Sequence, residues 1–590
     1  MTNNLTSFRE MILYTCEQYA CRTAFSILGK GTKKCISYKQ FQDDVVHTSE
    51  KFNIKGVPIA IFAENMYEWV VLYFSIGISG NIVVPMDTTA SVDAITRQLK
   101  DSLCSIILCS DRYFKFLKDI QQKSENRFNL IKIRDIFNLR DLSISDIVKE
   151  SNETNITLLK AYDNASVVIY TSGTTARQKG VLLTQKNILS NALSTAKVIS
   201  FAPSVLLILP LYHAFGLTVG VIVPILEGCE IVICDCNYSI IKGIKESNAE
   251  ATLAVPAMLK LFRDSIIENH DDISIMGKIR QIICGGATLQ EELFDFFEER
   301  NISICVGYGL SECAPVVSTN ADNMKKKGSV GKVLGCCSVS ILDADQNGYG
   351  EIIVKGDNVT KGYLNSPNCN SSSFEKGYFK TGDLGYIDDD GYLFVTGRIK
   401  DTLVLSNGKK IAPGELELLI GSIPCVKEIV VFLERADDSR EVIVAEIFVD
   451  KQETSKAYKE KIQKEIDKIN LELPIYKRIN GVRFREFPFL RTSTQKIIRI
   501  SEKDMIFEEI TKPIIDLLYK MPGRSFESIS IGDDLFNDLG LDSIGFVTLS
   551  CELSEKFDLD FYEDEIREIR TVWDFSQYIY RKKKLNSDRV

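Results

Sequence analysis

The chain has 590 residues, 45% hydrophobic and 26% charged, with a mean hydropathy near zero and a net charge of −9. That length exceeds what one core supports, and the composition excludes disordered and fibrous proteins. The charge is uneven, with 17 Asp/Glu against 8 Lys/Arg in residues 505–582, so the C-terminal stretch is a distinct acidic module, which argues against nucleic-acid binding and points to partners with basic patches.

In chain order, the first residues, MTNNLTSFREMILYT, lack the basic start and apolar stretch of a secretory signal, so a cytoplasmic location is expected. The uncharged run Trp69 to Met86 is long enough to span a membrane but contains Gly77, Gly80, Asn81 and Pro85; it reads as a buried helix followed by a buried strand, not a span. Sixteen cysteines are spread without repeated spacing, no CxxC pair occurs and there are three histidines, which favours reduced core thiols over disulfides or a structural zinc site.

Up to about residue 400 short apolar runs alternate with helical stretches, as in VPIAIFA, YEWVVLYFSIG, NIVVPMD, VDAITRQLK and CSIILCS. This predicts a large α/β domain with mostly parallel sheets. After Gly350 the pattern turns to Gly-punctuated β structure (NGYGEIIVKG, DDDGYLFVTG), then to a small α+β unit with strands VKEIVVFLE and EVIVAEIFV and the helix KEKIQKEIDKINLEL. From Met505 the chain is helical again, starting with the one-faced MIFEEITKPIIDLLYK.

The segment Tyr170–Val181, YTSGTTARQKGV, gathers hydroxyls, Gly173, Gly180 and Lys179 after an apolar run. Small residues let backbone N–H groups approach a polyphosphate closely, with hydroxyls and an ammonium beside them. It is not a GxxxxGK[ST] loop. Further on come LPLYHAFG (209–216), CGGATL (284–289), GYGLSE (307–312), YFKTGD (378–383), GRIKD (397–401) and RTSTQKIIR (491–499).

In this order the seven strings resemble the adenylate-forming superfamily of acyl-CoA synthetases, peptide-synthetase adenylation domains and luciferase, and with ISYKQF and AENMYEWV the resemblance covers residues 8–502. It implies ATP and Mg2+ as cofactors. Thr171, Ser172, Gly173, Thr174, Thr175 and Lys179 fall in the phosphate loop, and Gly286, Ala287, Tyr308 and Gly309 in the nucleotide site, with Tyr308 on the adenine. Ser311 falls at the α-phosphate, Asp383 at the ribose hydroxyls, and Arg398 near ribose and phosphate. Glu312 would hold the metal, as a hard cation wants carboxylate oxygen, with Thr171 a weaker candidate. Catalysis would rest on Lys496, Glu312 and His213: Lys496 would neutralise the repulsion between carboxylate and triphosphate, and His213 would line the carboxylate end of the acid pocket. Lys400 matches the hinge about which the small domain swings, and Gly408 belongs to the loop carried in by that swing.

Four positions depart from the pattern: Ala176 and Gln178 stand for Gly and Pro of the phosphate loop, and Leu490 and Gln495 for Pro and Gly of the last motif. The acid is expected to be fatty, or failing that aryl, because HAFGLT (213–218) lacks the aspartate that pairs with an amino-acid ammonium. Phe215, Gly216, Val255 and Leu310 are the candidate walls.

Asp542-Ser543 opens an amphipathic stretch, and a serine there could simply cap a helix. The full LGLDSI string, with LF upstream and TVWDFSQYI downstream, resembles an acyl or peptidyl carrier domain, whose serine, here Ser543, receives 4'-phosphopantetheine. The expected organisation is 1–398 (large adenylation subdomain, including a β-rich part), 399–502 (mobile α+β subdomain), 505–582 (all-α four-helix carrier) and 583–590 (tail). The expected activity is activation of the acid and its transfer to the fused carrier for natural-product or lipid assembly. Partners would be a phosphopantetheinyl transferase and a downstream enzyme taking the acyl group. Alternatives are an acyl-CoA synthetase releasing free acyl-CoA, an aryl-acid loading didomain, or a degenerate carrier scaffold.

Overall fold

A computed structural model describes residues 5–29, 32–123, 128–138, 144, 162, 164–171, 178–234, 239–321, 325–405, 409–423, 425–435, 441–449, 456–485, 489, 497, 510–520, 529, 532–539, 541, 543–557, 559, 561 and 569–587. The chain divides into two compact units, 1–497 and 498–590.

In the first unit the strands Asn129–Lys132, Ile106–Cys109, Pro58–Phe62, Ile82–Pro85 and Val167–Tyr170 lie side by side in parallel, and Gly180–Leu183 closes the edge antiparallel to Val167–Tyr170. Four of the parallel strands are buried end to end, as strands covered on both faces require. The run Trp69–Met86 forms the buried helix Tyr67–Ile78 and the buried strand Ile82–Pro85, as expected. Trp69 and Tyr73 stack within it, ring centres 5.7 Å apart. No helix among the described residues is long and apolar enough to cross a membrane.

A second sheet has nine strands. Its central six, in the order Ser303–Gly309, Gln281–Cys284, Ala251–Ala254, Ser204–Leu206, Glu230–Cys234 and Thr23–Gly29, are parallel. Val316–Asn320 with Lys332–Val333 on one side and Thr32–Ser37 on the other are antiparallel. The expectation of mostly parallel sheets holds, the antiparallel strands lying at edges: Gly180–Leu183 in the first sheet, and Thr32–Ser37, Val316–Asn320 and Lys332–Val333 in the second. Both sheets share one core, in which Phe8, Phe25, Phe41, Trp69 and Phe74 are fully enclosed.

The β-rich part is an antiparallel sheet of Cys337–Leu342, Gly350–Gly356, Tyr378–Ile387, Phe374–Glu375 and Leu393–Arg398. The α+β part pairs Val426–Arg435 with Glu441–Val449 antiparallel and the latter with Gly481–Arg485 in parallel, packed on helices Pro413–Gly421 and Lys456–Glu472 through Leu416, Ile420, Ile462 and Ile466.

In the second unit the described residues hold three helices, Lys512–Lys520, Ser543–Phe557 and Val572–Ser587. Ile514, Leu518, Leu549, Leu553, Phe575 and Ile579 are buried against one another, the apolar faces of all three meeting in one small core. The Thr511 and Ser576 hydroxyls bond inside it at 2.9 Å.

Candidate active site

The parallel strands of the nine-stranded sheet end at one side, where their loops can converge on a ligand. A cleft of about 1210 Å3 opens there. Strand Ala251–Ala254 delivers Val255, strand Gln281–Cys284 delivers Gly285 and Gly286, and strand Ser303–Gly309 delivers Tyr308, Gly309 and Leu310. Gly286 has a φ of +84°, which glycine adopts without a Cβ penalty. Gly309 passes so close to Pro315 that a Cβ would lie 2.1 Å from its carbonyl oxygen. That is closer than any side chain allows, so the strand end is shaped by glycine.

One end of the cleft is polar. The Tyr308 hydroxyl donates to Asp383 Oδ2 at 2.7 Å, and Arg398 Nε lies 3.0 Å from Asp383 Oδ1. Asp383 and Arg398 face one another across the paired strands Tyr378–Ile387 and Leu393–Arg398, so the sheet register sets this contact. Asp383 is buried and is not itself a wall; Tyr308 and Arg398 are. Burial beside the Asp383 charge pushes the Tyr308 phenol well up, so it stays a donor.

Glu312 follows in the short turn Ser311–Cys313 and accepts from the Tyr363 hydroxyl at 2.7 Å. Burial raises its pKa, while the Tyr363 hydrogen bond and the Arg398 charge pull it down. Lys179 Nζ lies 4.8 Å from the centre of the Tyr363 ring, bringing the phosphate-loop cation and the Glu312 carboxylate onto one tyrosine. The loop itself joins two antiparallel strands, Val167–Tyr170 and Gly180–Leu183, and the Thr171 N–H donates to the Lys179 carbonyl at 3.0 Å across its neck. Partial desolvation at the cleft wall and the neighbouring Arg398 lower the Lys400 pKa.

The other end is apolar. Phe215 and Gly216 begin the wide helical turn Phe215–Ile222, and Phe215 packs against Gly285, where a Cβ would be 3.3 Å from its ring. Ile208, Val219, Val255, Met258 and Leu261 complete this wall, Leu261 being 47% exposed at its outer edge. His213 lines the cleft beside Pro210 and Ala214.

Of the residues picked out in the sequence, Thr171, Lys179, His213, Phe215, Gly216, Val255, Gly286, Tyr308, Gly309, Leu310, Ser311, Glu312, Arg398 and Lys400 line one cleft, with Asp383 directly behind it. Ala287 is exposed on the next turn and is not a wall. Ser172, Gly173, Thr174, Thr175, Gly408 and Lys496 lie outside the described residues, as do Ala176, Leu490 and Gln495. Ser543 opens its helix as expected. Sequence reading missed Tyr363, in the string KGYL, because its partner Glu312 is 51 residues away.

The family model described as AMP-binding enzyme matches residues 14–364, more than half of the chain. The chain belongs to the AMP-binding, adenylate-forming enzyme family. The model for the AMP-binding enzyme C-terminal domain matches residues 400–514, and the phosphopantetheine attachment site matches 514–579. Among relatives, the long-chain-fatty-acid–CoA ligase FadD13 of Mycobacterium tuberculosis is 27% identical over 456 residues, 75% of this chain and 87% of the relative. The 2-succinylbenzoate–CoA ligase of Bacillus velezensis is 30% identical over 383 residues, 63% of this chain and 74% of the relative. Among solved structures, o-succinylbenzoate CoA synthetase (MenE) of Bacillus subtilis with its acyl-adenylate intermediate superposes with a TM-score of 0.68 at 25% identity, over 84% of this chain and 98% of that one. This member of the family thus joins an acid-activating ligase to a carrier domain.

Proposed function

We propose that the chain activates a carboxylic acid, preferably a fatty acid, as its acyl-adenylate using ATP, and passes the acyl group to the thiol of phosphopantetheine on Ser543. The observation that carries this reading is one cleft with a nucleotide-suited polar end and an apolar end, in a chain that continues into a phosphopantetheine attachment domain. The proposed division of labour is residues 1–398 for binding, 399–502 for the moving subdomain, 505–582 for the carrier and 583–590 as a tail.

In this reading Tyr308 lies against the adenine, and Asp383, held by the Tyr308 hydroxyl and Arg398, accepts from the ribose. The Lys179 ammonium, at the Thr171–Lys179 neck, would meet the phosphates, and Ser311 would bond the α-phosphate. A half-buried carboxylate steadied by a phenol suits a hard cation, so Glu312 would hold Mg2+, with Thr171 as a secondary ligand. When bound, the metal neutralises charge on the triphosphate. His213 meets the acid's carboxylate, and the Phe215, Val219, Val255, Met258, Leu261 wall takes its chain, with the exposed Leu261 edge leaving room for a long one. Ser172, Gly173, Thr174, Thr175, Gly286 and Gly309 shape the nucleotide site, Lys400 is the hinge and Lys496 the charge-neutralising group.

Acid-dependent pyrophosphate exchange over a broad acid panel tests this. We expect signal with medium- or long-chain fatty acids, and weaker signal with benzoic-type acids. Exchange with proteinogenic amino acids alone would overturn the pocket argument, and none with any acid would leave a carrier scaffold. A second reading, release of free acyl-CoA, is favoured by the CoA-ligase names of the relatives.

The pH profile gives a further check. Glu312 must be ionised to hold the cation, so exchange falls as pH drops through its pKa, which burial raises and Tyr363 lowers. Tyr363→Phe removes the largest influence of any protein group favouring the ionised form. The acid limb of the profile is expected to move to higher pH, with exchange at neutral pH down about tenfold, the worth of one hydrogen bond to a charged group. An unmoved acid limb would sever Tyr363 from the metal site.

A further inference from the structure

The geometry points to Gln98 as a positioning residue for the phosphate loop, acting through Gln178 to set where Lys179 stands; this rests on the ATP-dependent reading above. Both ends of the loop are tied to one helix, Val92–Asp101. At the entrance the Tyr170 hydroxyl lies 2.9 Å from Asp101 Oδ2 and 3.2 Å from the Gln98 carbonyl. At the exit Gln98 Nε2 donates to Gln178 Oε1 at 2.6 Å. Between them the neck is closed by the Thr171 N–H on the Lys179 carbonyl.

Gln98 is 3% exposed and its Oε1 has no hydrogen-bond partner. Burying a half-satisfied amide is unfavourable, and an apolar side chain of the same size would fill the place without that cost. What the glutamine adds is the bond to Gln178. Position 178 departs from the loop pattern, having Gln where that pattern has a proline. A proline fixes φ by its own ring, whereas a glutamine is fixed only by what it bonds, and here that is Gln98. Gln178 directly precedes Lys179, whose ammonium shares the Tyr363 ring with Glu312, so backbone rotation at 178 shifts the cation relative to the carboxylate.

The test uses the full chain with Gln98→Leu, Gln178→Leu and the double variant, measuring ATP affinity by calorimetry with Mg2+ present, KM and kcat for ATP in pyrophosphate exchange, and thermal midpoint. Gln178 is only partly buried, so Gln178→Leu is expected to fold. Each single variant is expected to weaken ATP binding about tenfold, equivalent to about 1.4 kcal/mol, raising KM for ATP with little change in kcat. The double variant should be no weaker than either single, because both remove the same bond. A hundredfold loss in the double variant, or a lower thermal midpoint with unchanged ATP affinity, would overturn the tether. Failure of the unaltered chain to bind ATP would overturn the functional reading as well, whereas normal binding there and in Gln98→Leu overturns the tether alone.

Discussion

Lys496→Ala is expected to slow acid-dependent pyrophosphate exchange by about 10²–10³-fold, the range for removing one preorganised charge-stabilising group. The reason lies in the substrates. A carboxylate attacking a triphosphate brings two anions together, and the barrier stays high unless a cation sits where they meet. The cleft has other cations, since Lys179, Arg398 and Lys400 all line it. Arg398 is committed to Asp383 at 3.0 Å and Lys179 shares the Tyr363 ring, so neither is free to follow the reacting oxygens. In the proposed reading Lys496 of the small subdomain supplies the cation that meets the reacting oxygens. Once the acyl-adenylate exists that charge is no longer needed, and thioester formation from supplied acyl-adenylate should be far less affected. Equal damage to both half-reactions would contradict a subdomain that swings between them.

Ser543→Ala should separate carrier chemistry from activation altogether. Ser543 begins the helix Ser543–Phe557 in the second compact unit, and every described wall of the cleft belongs to the first. Replacing a serine at a helix start costs at most what a lost cap does, roughly 0.5–2 kcal/mol. The carrier core runs from Ile514 and Leu518 through Leu549 and Leu553 to Phe575 and Ile579, and a loss of that size is expected to leave the domain folded. Pyrophosphate exchange is expected within about twofold of the unaltered chain, below the effect of a typical lost hydrogen bond, while the mass increments of phosphopantetheine and of the acyl group both vanish. Loading of the alanine variant by a transferase would place the arm on another residue.

Much of this architecture could be read from the order of residues. Strands such as Ile106–Cys109 and Gln281–Cys284 announce themselves as continuous apolar runs because both faces are covered. Strand direction was less legible: Val316–Asn320 looks like any buried strand, and only the Ser311–Cys313 turn returns it antiparallel to Ser303–Gly309. The cleft residues that lie in compact motifs, such as Tyr308 with Glu312, could be found from spacing and resemblance. Tyr363 and Gln98 could not, because their roles exist only through partners 51 and 80 residues distant. Gln178 shows the same limit from the other side. It reads as a defect in the loop pattern until the partner amide on a separate helix comes into view.

Transfer to the carrier is tested directly by incubating the phosphopantetheine-bearing chain with a long-chain fatty acid, ATP, Mg2+ and free CoA, and weighing both the intact protein and the small-molecule products. We expect an ATP-dependent acyl mass increment on the protein, lost in Ser543→Ala, with soluble acyl-CoA as the minor product. Soluble acyl-CoA as the main product with no acyl increment on the protein would contradict that transfer.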